Sequence, residues 1–302
     1  MSTPEQTQAV RQISGLAEIS DRYDVLLCDI WGVVHNGVAA FPSASEALVS
    51  FRRRGGTVIL ITNAPRPSAP IRRQLLKLGV SPDAFDDIAT SGDVTTGLIA
   101  ERIAEPVLHI GPARDLSLFE AAGEAAGRPP RLVGLDAAHY ALCTGLRDDV
   151  RETLDDYETE LRAIAAHAMP MICANPDIVI HRGETLVYCA GALAGRFEAL
   201  GGGVIYAGKP HAPIYRRALA LAEQARGAPV DVRRVLAVGD GMKTDIAGAA
   251  GAGLDALLVT RGIHRVALHG DSFEAPADQG KLRRLCEEFS LWPVAAIGTL
   301  GG

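Results

Sequence analysis

The chain has 302 residues, 48% hydrophobic and 22% charged, a soluble globular composition with room for one large or two medium domains. Its net charge of -6 argues against a nucleic-acid surface, and no block of Lys and Arg is long enough to change that. The first ten residues lack a signal-peptide core, no apolar run approaches a membrane span, and the five scattered cysteines form no Cys-x-x-Cys pair, so a cytoplasmic protein with reduced core thiols is expected.

Residues 1–22 read as an opening helix with Ile13, Leu16 and Ile19 on one side. Val25 to Cys28 is a short apolar run, the pattern of a buried strand. It ends on Asp29, ahead of Trp31-Gly32 and a turn-like His35-Asn36-Gly37. Ser43 to Arg54 predicts a helix, with Ser43 as cap, Glu46 completing a capping box and Gly55-Gly56 as the stop. Thr57 to Ile61 is a second β-branched run, ending in Thr62-Asn63. Pro65 and Pro67 hold an extended loop before a helix over Ala69 to Leu78. Ile88 to Thr90 is a short strand, and Ser91-Gly92-Asp93 begins another helix.

The alternation then continues. Val107 to Ile110 and Tyr140 to Thr144 read as strands, and Val150 to Ala168 as one amphipathic helix. Met171 to Ala174 leads into the turn Asn175-Pro176-Asp177. Ile178 to His181 and Thr185 to Tyr188 form a hairpin across Arg182-Gly183-Glu184, and a helix from Ala190 to Leu200 stops at three glycines. Val204 to Tyr206 is a third run delivering polar groups, here Gly208-Lys209-Pro210. After a helix over Ile214 to Glu223, Val235 to Val238 is the fourth, ending in Gly239-Asp240 with Asp245 five residues on. A helix over Thr244 to Ala252, a strand over Ala256 to Val259, a helix over Gln279 to Phe289 and an edge strand at Val294 to Ile297 complete the chain.

Four strand-like runs thus end in Asp29, Thr62 with Asn63, Lys209, and Asp240 with Asp245. In open α/β sheets, ligands bind outside the carboxyl ends of the strands. Each residue alone also has a plain structural reading. Asp29 ends a strand in a loop, Thr62 caps a helix, Lys209 sits in a surface loop, and Asp240 and Asp245 are a cap and a first-turn charge. Lys209 stands out because the chain has only four lysines among 30 basic residues. A compact, flexible point charge suits a phosphoryl group.

As an ordered set, these residues resemble the haloacid dehalogenase superfamily, and within it the class IIA nitrophenyl-, nucleotide- and sugar-phosphatase-like branch. The resemblance implies an α/β fold: a doubly wound, Rossmann-like parallel core from 1–90 and 204–302, and an α/β cap inserted at 91–203. It implies that Asp29 is a nucleophile forming an aspartyl-phosphate, with Lys209 beside it. It implies phosphate binding by Thr62, the amide of Asn63 and Lys209. Mg²⁺ would be held by Asp29, Asp240 and the backbone carbonyl of Trp31, with Asp245 either a direct ligand or placed behind them, a set of hard oxygen ligands that suits it. Asn175 and Asp177 match a substrate-facing turn of the cap, and the same residues also simply make a turn.

One position departs from the family pattern. The first motif normally reads Asp-x-Asp-Gly, and its second Asp protonates the leaving group. Here that residue is Trp31, whose indole offers one donor and no titratable group. General acid–base catalysis is typically worth ~10²–10⁴-fold, so an alkyl phosphate should turn over slowly. His35, on the same loop, is a candidate stand-in that titrates near neutrality, or else a loop histidine with no part in the site. No lysine occurs between Lys77 and Lys209, so a Schiff-base mechanism from the cap is unavailable. The reading is Mg²⁺-dependent hydrolysis of a small phosphate monoester, weakened by Trp31. The alternative is a phospho-ligand-binding pseudoenzyme with little turnover. The partner expected is a small phosphorylated metabolite, not nucleic acid or membrane, with a homodimer through the cap as the assembly to test.

Overall fold

The computed structural model describes residues 9–182, 185–270 and 275–301. Its strands run β1 (Gln12–Ile13), β2 (Val25–Asp29), β3 (Thr57–Thr62), β4 (Asp87–Thr90), β5 (Val107–Ile110), β6 (Tyr140–Cys143) and β7 (Met171–Cys173). They continue as β8 (Val179–Arg182), β9 (Thr185–Tyr188), β10 (Val204–Tyr206), β11 (Val235–Gly239), β12 (Asp255–Val259) and β13 (Ala295–Ile297).

Seven strands form one sheet in the order β1-β13-β12-β11-β2-β3-β4. The pairs from β1 through to β3 are parallel. From β2 the chain steps outward through β3 to β4; from β11 it steps the other way through β12 to β13. The order therefore reverses between β2 and β11, which is a topological switch point. Every residue of β2, β3 and β11 is buried. That is why these strands read as unbroken apolar runs and not as alternating ones: a parallel sheet is covered on both faces.

A separate parallel sheet has the order β10-β7-β6-β5. Its residues alternate between two cores. Leu108, Ile110, Ala141 and Cys143 pack with Leu161, Ile164, Leu193 and Phe197 on one face. Val107, Tyr140 and Leu142 pack with Ile99, Leu118 and Phe119 on the other. β8 and β9 pair antiparallel as a two-stranded ribbon, and residues 183–184 of its expected turn lie outside the described residues.

By packing, the chain divides into two compact units. One is Met1–Ile61, Arg73–Ile88 and Ala218–Gly302; the other is Thr62–Arg72 with Ala89–Arg217. This corrects the expected return to the core at 204. β10 pairs in register with β7, Val204 opposite Met171 and Tyr206 opposite Cys173, so it is an edge of the four-stranded sheet. Residues 62–72 also pack with the inserted span.

Four local expectations change as well. The opening helix is instead β1 followed by 3-10 turns at Leu16–Glu18 and Ser20–Arg22, although Ile13, Leu16 and Ile19 are buried as expected; residues 1–8 lie outside the described residues. The helix expected from Ser43 starts at Pro42 with Phe41 as its cap residue, because proline preset at the first turn needs no N–H. The helix expected over Val150 to Ala168 is Glu158–Ala166, preceded by a 3-10 turn at Leu154–Tyr157. Thr153 and Asp156 form a capping box there, and Asp148 accepts from the N–H groups of Val150 and Arg151, so the chain turns before 153 and leaves Val150 82% exposed. β13 is interior, between β12 and β1, and not an edge. Among the described residues no helix is long and apolar enough to cross a membrane.

Candidate active site

Asp29 is the last residue of β2, and Asp240 directly follows β11. These are adjacent strands in register, Val238 opposite Cys28, so both acids come out at the switch point. Asp245 lies in the wide helical turn Met242–Ile246 that follows. Carboxylate oxygens of Asp29, Asp240 and Asp245 all lie within 4.8 Å of one another, and all three residues are buried.

Three glycines permit that convergence. Gly32 has φ of +81°, and a Cβ there would run into Asp240 Oδ2. A Cβ at Gly262 would meet the same oxygen, and one at Gly239 would meet the Asp245 side chain. Backbone donors then fix the carboxylates. The Ile263 N–H donates to Asp240 Oδ2 at 2.7 Å. Asp245 Oδ2 accepts from the Gly241 N–H at 3.0 Å and the Thr244 hydroxyl at 3.2 Å. Buried carboxylates this close repel one another unless a cation or proton sits among them. Three convergent hard oxygens fit a divalent cation of the Mg²⁺ or Ca²⁺ type.

The turn after β2 presents Trp31 outward, 51% exposed, over a buried His35. The rings meet edge to face with centroids 5.3 Å apart. His35 Nδ1 accepts the Gly37 N–H at 2.8 Å, so its proton resides on Nε2. Burial pushes the imidazole's pKa down, which keeps it neutral. Gly37, at φ of +87°, has no room for a Cβ beside the indole. His35, open in the sequence between a substrate-facing or proton-donating role and a loop histidine with no part in the site, is 3% exposed and lies under the indole that the loop presents.

Thr62 ends β3, one residue past Ile61, the register partner of Asp29. Its hydroxyl accepts the Ala64 N–H at 3.2 Å. In the other unit, Asn63, Asn175, Asp177 and Lys209 form one hydrogen-bonded set. Asn63 Oδ1 accepts the Lys209 N–H at 2.7 Å, and Asn63 Nδ2 donates to the Lys209 carbonyl at 3.2 Å and to Asp177 Oδ1 at 2.8 Å. Asn175 Oδ1 accepts the Asp177 N–H at 3.0 Å. Lys209 is buried, at 3% exposure, which sets aside the surface-loop reading. The side chains expected to face substrate at 175 and 177 are thus engaged within the protein.

The residues missed from sequence are Gly262 and Ile263, which shape and bind Asp240, and His264, whose Nε2 accepts the Met242 N–H at 3.4 Å. A signal was there: the apolar run of β12 ends in Thr260-Arg261-Gly262, the same strand-then-turn pattern as the other four.

A family described as haloacid dehalogenase-like hydrolase matches residues 26–125, and one described as HAD-hydrolase-like matches 206–280. The chain is 30% identical over 286 residues to the D-glycerol 3-phosphate phosphatase of Mycobacterium tuberculosis (strain ATCC 25618 / H37Rv), covering 93% of this chain and 76% of that protein. Among solved structures it is similar to a haloacid dehalogenase-like hydrolase from Brucella suis 1330, at 42% identity and a TM-score of 0.80, covering 95% of this chain and 99% of that one. It shares its fold with a p-nitrophenyl phosphatase from Archaeoglobus fulgidus at 23% identity and a TM-score of 0.69, over 92% of this chain and 97% of that one.

Proposed function

The chain belongs to the haloacid dehalogenase-like hydrolases, and from that premise we propose that it hydrolyses a small phosphate monoester through an aspartyl-phosphate on Asp29. The observation that carries this reading is the convergence of Asp29, Asp240 and Asp245 at the carboxyl ends of the central strands. Asp29 attacks phosphorus as a nucleophile, and the ester oxygen leaves. Thr62, the backbone amide of Asn63 and Lys209 take the phosphoryl oxygens, which otherwise repel an anionic nucleophile. Water then attacks the acyl phosphate, releasing inorganic phosphate and restoring Asp29.

Mg²⁺ is the proposed cofactor, held by Asp29, Asp240, Asp245 and the Trp31 carbonyl. When bound it would supply positive charge against the phosphoryl oxygens. The inserted unit is the proposed substrate-selecting cap and the surface for a homodimer. The relative that acts on D-glycerol 3-phosphate makes short polyol phosphates the first substrates to try.

A second reading has its own observation. The indole of Trp31 stands at the acid position and His35 beneath it is buried with Nδ1 committed, which favours a phospho-ligand-binding protein with little turnover. A panel of phosphorylated metabolites, assayed with Mg²⁺ against wild type and Asp29→Asn, separates the two. Turnover in wild type that Asp29→Asn abolishes supports hydrolysis. Absence of turnover across the panel, with micromolar ligand binding retained, supports the second reading.

A further inference from the structure

We infer that Asp177 is a positioning residue for Lys209, acting through the side-chain amide of Asn63. The inference rests on the phosphatase reading, in which Lys209 meets the phosphoryl group.

Asn63 holds both backbone groups of Lys209, as a neighbouring strand would: Oδ1 takes the N–H and Nδ2 gives to the carbonyl. Those two bonds exist in only one orientation of the amide. Turned over, the amide would set NH₂ against N–H and oxygen against oxygen. Asp177 reinforces that orientation. An ionised carboxylate only accepts, so Asp177 Oδ1 can face Nδ2 and never Oδ1 of Asn63. Asp177 is itself held by the turn, its N–H donating to Asn175 Oδ1, while the Asn175 carbonyl takes the Gly191 N–H at 2.8 Å. Gly208 lets the segments after β10, β3 and β7 approach: a Cβ there would run into Asn63 Oδ1 and Pro176.

The consequence is for a side chain with a long flexible stem. A lysine ammonium is placed largely by where its backbone is fixed. Asn63 and Lys209 are 146 residues apart in sequence, and Asn63 and Asp177 are 114 apart, so no local structure imposes this alignment. Asp177 thereby bears on Lys209 through Asn63, at one remove from the phosphoryl group.

The test is a set of variants in the full-length protein with Mg²⁺, read as kcat and KM for nitrophenyl phosphate and as the inhibition constant of inorganic phosphate. Asp177→Ala removes one of the three bonds that hold the amide, and kcat/KM and phosphate affinity should each fall about 10-fold, the loss for one hydrogen bond to a charged group. Asp177→Asn keeps an accepting oxygen and should recover most of that loss. In an Asn63→Ala background, Asp177→Ala should add nothing. If Asp177→Ala melts below the assay temperature, Asp177→Ser, too short to reach Nδ2, takes its place. A loss in Asp177→Asn equal to that in Asp177→Ala would mean that the charge acts directly, and would overturn the inference. So would a full additional loss in the Asn63→Ala background. Lys209→Met separates the two levels. If it abolishes phosphate affinity while Asp177→Ala matches wild type, only the positioning role falls. If Lys209→Met binds phosphate as wild type does, the phosphatase reading falls and takes this inference with it.

Discussion

Gly262→Ala tests the carboxylate centre through a residue that contributes no ligand. A Cβ at 262 would meet Asp240 Oδ2, Cβ and Cγ, so the side chain or the loop must give way. Either movement breaks the 2.7 Å bond from the Ile263 N–H to Asp240 Oδ2. A hydrogen bond to a charged acceptor contributes about 1.5–3 kcal/mol, which as lost cation affinity is about 10- to 150-fold. Gly262 does not have a positive φ, so alanine adds no backbone strain there. Gly32→Ala is the contrast. It meets the same oxygen but at φ of +81°, which adds about 1–2 kcal/mol of strain to the fold itself. The assay is a calorimetric Mg²⁺ titration beside a thermal melt of each metal-free protein. Gly262→Ala should lose Mg²⁺ affinity with a moderate fall in Tm; Gly32→Ala should lose affinity and fall further in Tm by its added backbone strain. Unchanged Mg²⁺ affinity in a folded Gly262→Ala would refute the claim that Asp240 and its backbone donor shape a cation site.

Two further predictions concern the inserted unit. His109, whose Nε2 lies 3.1 Å from the Thr144 hydroxyl, is pushed down to about 4 by burial and then by Arg147, from an ordinary 6.5. A depressed histidine gives stability that is whole above 6.5 and lost as pH falls toward 4; at about 1.36 kcal/mol per pH unit, discounted for partial solvation, wild type should lose about 2 kcal/mol over that window beyond what His109→Gln loses, and parallel urea-unfolding curves for the two would contradict it. Phe197 is fully buried between Leu161, Ile164 and β7, so Phe197→Ala should destabilise this unit by about 3–5 kcal/mol by denaturant titration, and a loss under 1 kcal/mol would mean the core there collapses around the cavity.

What could be read ahead of the structure follows from which signals are local. β2, β3 and β11 are buried on both faces and end in polar residues, so composition and punctuation alone located them and their acids. β10 carries the same kind of run, yet all three of its residues are only half-buried. A three-residue strand has no pattern that tells one sheet from another; register with β7 decides it. The helix expected from Val150 failed for a related reason. Its apolar spacing continued, but Asp148, Thr153 and Asp156 bind backbone N–H groups locally and outcompete the helix there. At the site, the acids were legible and their supports were not. Gly262 reaches Asp240 because β12 pairs with β11, Leu258 opposite Gly239; the strand-then-turn pattern at 260–262 marks a strand end but not which strand lies beside it. Asn63 could be named as a site residue, but not that its side chain would be spent on Lys209 and Asp177.

The residue that departs from the family pattern makes the sharpest test of mechanism. With Trp31 at the acid position and His35 neutral beneath it, neither of the two side chains there that the loop could offer gives a proton readily. Rate should then depend on the basicity of the leaving group. A nitrophenolate leaves unprotonated, whereas an alkoxide needs a proton in the transition state. Wild type should therefore hydrolyse nitrophenyl phosphate far faster than a polyol phosphate of similar affinity. Trp31→Asp should narrow that gap by raising alkyl turnover, up to roughly the 10²-fold end of the acid–base range, and leave aryl turnover nearly unchanged. The substitution is tolerable because the indole is 51% exposed and its inner edge packs mainly on His35 and Gly37, so the lost burial is about 1–2 kcal/mol. Single-turnover rates for both substrates in both proteins, after a melt confirms folding, decide the matter. If wild type shows no leaving-group dependence, a proton donor other than residue 31 is at work. In that case His35→Gln, which keeps a nitrogen donor but cannot titrate, should impose the dependence that Trp31 did not.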